Sequence, residues 1–128
     1  MRRKCYKFSS QPLNWNAAKR ACEAMGSNLV VVNSQAENQA IASKLKANRA
    51  WIGLHRDPND NSRWLWVDGS RATYTNWERG EPNNPSGEKC GEMYPLSYPA
   101  GSVWNDWICS KASHYICEAS GKLENTMF

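Results

Sequence analysis

The first helical pattern begins at Asn14. Its apolar residues lie three or four positions apart, so they share one face of a helix: Trp15, Ala18, Cys22 and Met25. Gly26 follows, and glycine favours the left-handed conformation that ends many helices. The pattern predicts a helix from Asn14 to Gly26 that directs Cys22 toward the core.

A second helical pattern begins at Ser34. The sequence Ser-Gln-Ala-Glu places Glu37 at the third helical position, where a capping box needs its acidic residue. Ile41 and Leu45 continue the apolar stripe. We expect this helix to end near Ala47.

The remaining apolar runs are typical of strands. Short β-branched or aromatic segments are found at residues 28–32, 50–54, 63–67 and 113–117, with a polar turn at 57–61. Residues 73–101 are rich in Pro, Gly, Asn and Ser and predict a long loop. Helices followed by strands and loops indicate an α+β fold rather than a doubly wound parallel sheet.

Length and composition narrow the class of protein. A chain of 128 residues with seven tryptophans and five tyrosines fits one globular domain, and no apolar run is long enough to span a membrane. The net charge is +4, partly from Arg2, Arg3, Lys4 and Lys7 at the N-terminus. We interpret this basic segment as a solvated arm rather than a nucleic-acid site, and expect no membrane contact by the domain.

Five cysteines point to disulfide bonds rather than zinc. They form no Cys-x-x-Cys pair and no zinc-type spacing with histidine. Disulfides imply an oxidising, extracellular compartment. The residues alone leave about fifteen ways to choose two bridges and one free thiol.

Oxygen-bearing side chains are concentrated in two segments. Glu81-Pro82-Asn83 opens a stretch that also contains Glu88, and Trp104-Asn105-Asp106 follows later. Either motif alone is common in surface turns, and the isolated acids Asp60 and Asp68 are typical turn residues. The combination of both motifs around Cys90 and Cys109 is more specific than either one.

Together these motifs resemble a C-type lectin domain. The resemblance covers about residues 5–119 and also includes Cys22, the Trp-Ile-Gly-Leu run from Trp51, Trp77, and Cys117 followed by Glu118. It implies a C-type lectin-like α+β fold with two helices, small antiparallel sheets and a long calcium-binding loop region. We expect a single domain over residues 1–128, with a tail at 120–128.

The resemblance also implies the disulfide pairing. Cys22 would pair with Cys117 and Cys90 with Cys109, which leaves Cys5 without its usual partner from an N-terminal hairpin. Two explanations remain open for Cys5: the sequence begins inside that hairpin, or the thiol links two subunits.

The calcium ligands implied by the resemblance are Glu81, Asn83, Glu88, Asn105 and Asp106. Calcium takes about six to eight oxygen ligands, so these groups would leave positions for a pair of sugar hydroxyls, which the same carboxylates and amides would hydrogen-bond. The order Glu-Pro-Asn, with a cis bond before Pro82, resembles binders of mannose, N-acetylglucosamine and fucose. We therefore expect calcium as cofactor and glycans on glycoproteins or microbial surfaces as partners.

Two further expectations concern the surroundings of this site. Tyr94 or Tyr98 could stack on a second sugar ring, or the longer loop that carries them could be structural only. An auxiliary calcium site could use Asp57 and Asp60, but Lys89 stands where relatives carry an acid, which disfavours it.

The same residues bear on functions other than sugar binding. We expect no enzymatic activity, since calcium-bound carboxylates keep low pKa values and cannot donate protons at neutral pH. The alternative is a protein-recognition or ice-binding module of the same fold, which would not require these ligands. Single-sugar contacts are weak, so we expect an oligomer that binds through several copies, with Cys5 as a candidate link.

Overall fold

A computed structural model describes residues 3–82, 87–98 and 101–121. The described residues form two helices, α1 (Trp15–Ala24) and α2 (Gln35–Ala42). The strands are β1 (Arg3–Phe8), β2 (Asn28–Leu29), β3 (Ala50–Asp57), β4 (Asp60–Trp66), β5 (Cys90–Met93), β6 (Trp104–Trp107) and β7 (His114–Gly121). Neither helix is long and apolar enough to cross a membrane.

The strands join in one sheet in the order β1-β7-β3-β5-β6, with β2 attached to β7 and β4 to β3. Strands β3 and β7 run parallel, with Ala50 opposite His114, and the other pairs are antiparallel. The predicted α+β fold is confirmed. The sheet is mixed rather than purely antiparallel, because the chain end returns beside the central strand.

Helix α1 matches its prediction except at its end. The side chain of Asn14 caps it by accepting a hydrogen bond from the backbone N–H of Ala17 at 2.8 Å. Trp15, Ala18 and Cys22 are buried, as expected. Met25 is 44% exposed, so it does not belong to the buried stripe.

Helix α2 is shorter than its apolar pattern predicted. Ser34 accepts from the backbone N–H of Glu37, but the Glu37 carboxylate accepts in return from Asn33 and not from Ser34. The helix ends at Ala42, whereas the expected end was near Ala47. Leu45 is nevertheless buried, in the turns that follow the helix. Its burial therefore does not depend on its being part of the helix.

The basic N-terminal segment is a strand in its described part, so the prediction of a solvated arm is wrong there. Strand β1 pairs with β7 along its full length. The ammonium of Lys4 lies 2.8 Å from the Glu37 carboxylate and 3.4 Å from that of Glu118. Strand pairing, rather than charge, decides the position of this segment.

Strand β3 is buried on both faces. Trp51 packs in the cluster that contains α1 and the two core cysteines, while Ala50, Ile52 and Leu54 pack in the larger cluster of the core. A Cβ at Gly53 would lie 3.0 Å from two backbone oxygens, of Leu29 and Val30, so any larger residue would crowd the backbone there. The strand reaches Asp57, which shortens the predicted turn to Pro58 and Asn59.

The predicted strand at 28–32 is reduced to Asn28–Leu29, although residues 30–32 are buried.

The loop predicted at 73–101 contains strand β5, and strand β6 follows that loop. Neither strand was predicted from the sequence. Strands β5 and β6 have only four residues each, too few for a periodic pattern. Their pairing positions the candidate site.

Candidate metal centre

The site is built on the antiparallel pair β5 and β6. Asp106 lies opposite Gly91, and Asn105 lies opposite Glu92. Glu88 lies two residues before β5. The segment that leads to Glu81 is held against β6, because the N–H of Glu78 donates to the carbonyl of Trp104 at 2.8 Å.

Three of the predicted ligands converge. A carboxylate oxygen from each of Glu81, Glu88 and Asp106 lies within 4.8 Å of the others. Asp106 is fully buried, and the two glutamates are partly exposed. The Glu81–Pro82 peptide bond is cis, as predicted. Asn83 lies outside the described residues.

Burial and neighbouring carboxylates raise the pKa of two of these groups, Glu81 and Glu88. Burial raises the pKa of Glu81 to about 7, and the hydrogen bond and charge of Asp106 and the charge of Glu88 add to the effect. Burial also raises the pKa of Glu88, as does the charge of Asp106, while Arg56 lowers it. A cluster that resists ionisation in this way is stabilised by any cation that binds it.

Asn105 has a carboxylate partner that the sequence did not reveal. Its side-chain amide donates to Oε1 of Glu92 at 3.5 Å, and the same oxygen lies 3.2 Å from Nη1 of Arg49. Glu92 is fully buried, and burial raises its pKa to about 7 while Arg49 lowers it. The amide of Asn105 is therefore directed toward Glu92.

Arg56 is the second residue that sequence analysis missed. Its Nη2 lies 2.8 Å from Oδ2 of Asp106, and both side chains are buried. The available clue was the position of Arg56 two residues after the apolar run 50–54, where a longer strand would bury it and require an acidic partner. Sequence alone could not say which acid that was.

Asp57 and Asp60, the candidates for an auxiliary calcium site, accept hydrogen bonds within local turns. Asp57 accepts from the N–H of Asn59, and Asp60 accepts from the N–H and hydroxyl of Ser62. Asp68 makes the equivalent pair of bonds to Ser70, as expected of a turn residue. Neither Asp57 nor Asp60 belongs to the metal-competent group found among the described residues.

The two tyrosines beside the site differ in exposure. Tyr94 is 6% exposed, and its ring stacks on Tyr98 with centroids 4.2 Å apart. The Tyr98 hydroxyl donates to the Glu78 carboxylate at 3.2 Å and thus contacts the segment before Glu81. Tyr94 therefore supports the ring of Tyr98 from inside the protein, and Tyr98 is the tyrosine of this pair whose ring is exposed enough to contact a ligand.

Both predicted disulfides are confirmed. Cys22 is bonded to Cys117, which joins α1 to β7, and Cys90 is bonded to Cys109, which brackets β5 and β6. Cys5 is a free thiol on β1 and is partly buried.

Comparison with known proteins supports the resemblance. The family model described as "Lectin C-type domain" matches residues 11–119. The chain is 36% identical over 118 residues to "Hepatic lectin" of Gallus gallus, covering 90% of this chain and 54% of that protein. It is 39% identical over 116 residues to "C-type lectin domain family 17, member A" of Homo sapiens, covering 90% of this chain and 29% of that protein. The chain thus spans about half or less of the length of these relatives.

Solved structures agree with the sequence relatives. The mouse scavenger receptor C-type lectin carbohydrate-recognition domain superposes with a TM-score of 0.84 at 37% identity, covering 95% of this chain and 92% of that one. The C-type lectin domain of murine dendritic cell inhibitory receptor 2, solved in complex with N-glycan, gives 0.84 at 30% identity, with 92% and 91% covered. The chain therefore belongs to the C-type lectin domain family.

Proposed function

We propose that this chain binds glycans through a calcium ion held by Glu81, Asn83, Glu88, Asn105 and Asp106. The observation that carries the proposal is the convergence of three carboxylates within 4.8 Å beside the amide-bearing Asn105. These groups offer only oxygen donors for a metal, which is the ligand type that calcium prefers. Calcium would supply coordination positions for a pair of sugar hydroxyls.

Charge balance supports a divalent ion. Three carboxylates and the guanidinium of Arg56 carry a net charge of −2 when all four groups are ionised, and a doubly charged cation neutralises it. Without that cation, burial and the repulsion between neighbouring carboxylates together raise the pKa of Glu81 to about 7.

The chain's own residues would recognise the sugar. A hydroxyl can donate one hydrogen bond and accept two, so each can donate to a carboxylate and accept from an amide N–H. Glu81 and Asn83 would serve one hydroxyl, and Glu88 and Asn105 the other. From the Glu-Pro-Asn order we propose a preference for mannose, N-acetylglucosamine and fucose. The first two present vicinal equatorial hydroxyls at positions 3 and 4, and fucose presents its equatorial pair at positions 2 and 3.

We propose a binding role rather than catalysis. A metal held by these carboxylates keeps them ionised, so none could act as a general acid. We also propose an extracellular location, since two disulfides persist best under oxidising conditions. Oligomerisation would raise the avidity of weak single-sugar contacts, and Cys5 is a candidate link.

A glycan array tests the proposal. The biotinylated domain, displayed on streptavidin so that weak contacts add, is applied with calcium and with excess chelator. We expect signals on mannose-type glycans that chelator abolishes. Glu81→Gln combined with Asn83→Asp should shift binding toward galactose, and Glu23→Gln on the exposed face of α1 serves as a carboxylate-to-amide control. A blank array in calcium would favour the protein-recognition or ice-binding alternative.

Tyr98 is proposed to extend the site to a second sugar ring. Because Tyr98 is stacked on buried Tyr94, its ring is held in place and little entropy is lost on stacking a sugar. Tyr98→Ala should weaken oligomannose binding by about 1 kcal/mol and leave methyl mannoside unchanged. Equal affinities of the variant and the unmodified chain for oligomannose would remove this role.

A further inference from the structure

Arg56 places a positive charge inside the protein beside the candidate metal centre. Its side chain is 4% exposed and that of Asp106 is 0% exposed, with Nη2 and Oδ2 separated by 2.8 Å. The guanidinium carbon lies 4.6 Å from the ring centroid of Trp64, so the cation also stacks on an aromatic face. A buried charge is costly unless such contacts compensate its desolvation.

The contacts of Arg56 join three segments of the chain that are distant in sequence. Nη1 donates to the carbonyl of Asn61 at 2.7 Å, in the β3–β4 hairpin. Nε donates to the carbonyl of Glu88 at 2.9 Å, and the backbone N–H of Arg56 donates to the carbonyl of Lys89 at 2.9 Å. Nη2 reaches Asp106 on β6. The rigid plane of one guanidinium thus fixes these partners relative to one another.

Two of the three segments supply candidate ligands. Arg56 holds the backbone carbonyl of Glu88, which precedes β5, and the carboxylate of Asp106, which lies on β6. Like charges within a few ångströms repel, so a neighbouring cation stabilises carboxylates at this spacing. Arg56 is a cation that the chain itself provides next to Asp106.

We propose that Arg56 is a positioning residue that keeps Glu88 and Asp106 in their binding arrangement when no metal is present. The identity of the arrangement as a calcium site rests on the proposed function, but the positioning itself concerns the metal-free chain. The arginine thereby supplies a positive charge of the chain's own beside the carboxylates.

Hydrogen exchange followed by mass spectrometry tests the proposal on the metal-free protein in excess chelator. Arg56→Met keeps much of the apolar volume but removes the charge and the donors. We expect the amides of residues 87–93 and 104–107 to exchange about tenfold faster in this variant, while β1 and β7 keep the wild-type rate. Arg63→Met is the matched control, because Arg63 is partly exposed and its acidic partners lie 3.7 Å away.

A second variant keeps the test decisive if Arg56→Met does not fold. Arg56→Lys retains the charge but cannot make three side-chain bonds in a plane, so we expect acceleration between that of Arg56→Met and the wild type. Exchange at residues 87–93 and 104–107 within twofold of wild type in the folded variants would overturn the proposal. So would equally fast exchange at these residues in the wild type without metal.

Calcium provides an arm that separates this proposal from the proposed function. Adding saturating calcium should raise the protection of residues 87–93 more in Arg56→Met than in the wild type, because the ion replaces a cation that only the variant lacks. The reverse order contradicts the positioning role. If isothermal titration calorimetry detects no calcium binding to the wild type, the proposed function fails, while the comparison of metal-free proteins still decides the role of Arg56.

Discussion

At the scale of single residues, the candidate site is defined by carboxyl groups that are close together and partly shielded from water. Glu81, Glu88 and Asp106 each lose solvation, and each lies within reach of the negative charge of the others. Protons and calcium therefore compete for the same oxygens. The pH dependence of binding follows from that competition.

Calcium affinity should fall with decreasing pH near neutrality. The pKa of Glu81 is raised to about 7 in the metal-free protein, so below that pH the ion must displace a proton. One such group lowers affinity about tenfold between about pH 8 and pH 6. Titration calorimetry in two buffers of different ionisation enthalpy measures both the affinity and the protons released. A constant affinity over this range would contradict the assignment.

Glu92 should destabilise the metal-free protein at alkaline pH. Burial raises its pKa to about 7, so the folded state holds a proton that the unfolded state has lost, and the stability present below about pH 4.5 is lost as pH rises through 7. Glu92→Gln should raise the free energy of unfolding at about pH 8 by about 1 to 3 kcal/mol, with the difference vanishing near pH 4. Urea denaturation at both pH values measures the effect.

Because Arg49 is exposed, Glu92→Gln removes the buried carboxylate without leaving a buried, unpaired cation. Arg49 is 42% exposed, so water can solvate its charge once the carboxylate is removed. Arg49→Gln is the complementary variant, since it removes the cation and leaves the buried carboxylate, and it should be less stable than wild type at about pH 8. Equal stabilities of wild type and Glu92→Gln at that pH would show that the pKa of Glu92 is not raised in the folded protein.

At the scale of elements, the two disulfides have different tasks. The Cys22–Cys117 bond closes a separation of 95 residues and joins α1 to β7, whereas the Cys90–Cys109 bond closes 19 residues around β5 and β6. In the chain-entropy model the two loops contribute about 4.5 and about 3 kcal/mol to stability. Only the second bond lies next to the candidate ligands, since Glu88 and Asp106 are within three residues of its ends.

Removing each disulfide should therefore affect different quantities. Replacing Cys22 and Cys117 by alanine should lower the free energy of unfolding by up to about 4 kcal/mol and change calcium affinity little once the protein is folded. The same change at Cys90 and Cys109 should cost less stability but weaken calcium binding clearly. Urea denaturation and calorimetry on both pairs decide the matter. Equal losses of affinity in the two variants would argue against a local role for the second bond.

At the scale of the whole molecule, the two ends of the described chain meet beside the core. Strand β1 pairs with β7, and β7 pairs with β3, which in turn pairs with β5 and leads to the site. The candidate metal centre is thus connected to the chain ends through the sheet. Metal binding at its edge should therefore be coupled to global unfolding.

Calcium should raise the midpoint of thermal unfolding in a concentration-dependent way. A ligand that binds only the folded state at about ten times its Kd adds about 1.4 kcal/mol, which corresponds to about 5 °C for a domain of this size. Magnesium should give a smaller shift, because it loses its hydration water reluctantly. Differential scanning fluorimetry with calcium, magnesium and chelator measures the shifts. An unchanged midpoint in millimolar calcium would count against the site.

The sequence by itself determined the features that depend on local pattern and on residue identity. The stripe from Trp15 to Cys22 predicted α1, the run from Ala50 to Leu54 predicted the central strand, and the spaced motifs predicted the fold family, both disulfides and the cis bond before Pro82. Periodicity and composition are properties of residues close together in the chain, so they can be recognised without a structure.

Only the tertiary structure decided which charges meet. The pairing of β5 with β6, the return of β1 to the sheet, the partnership of Arg56 with Asp106 and that of Glu92 with Asn105 all join residues distant along the chain. Helix α2 ended at Ala42 although Leu45 continued its pattern, because burial there was satisfied by a turn. Contacts of this kind depend on how whole elements pack, and no local pattern in the chain encodes them.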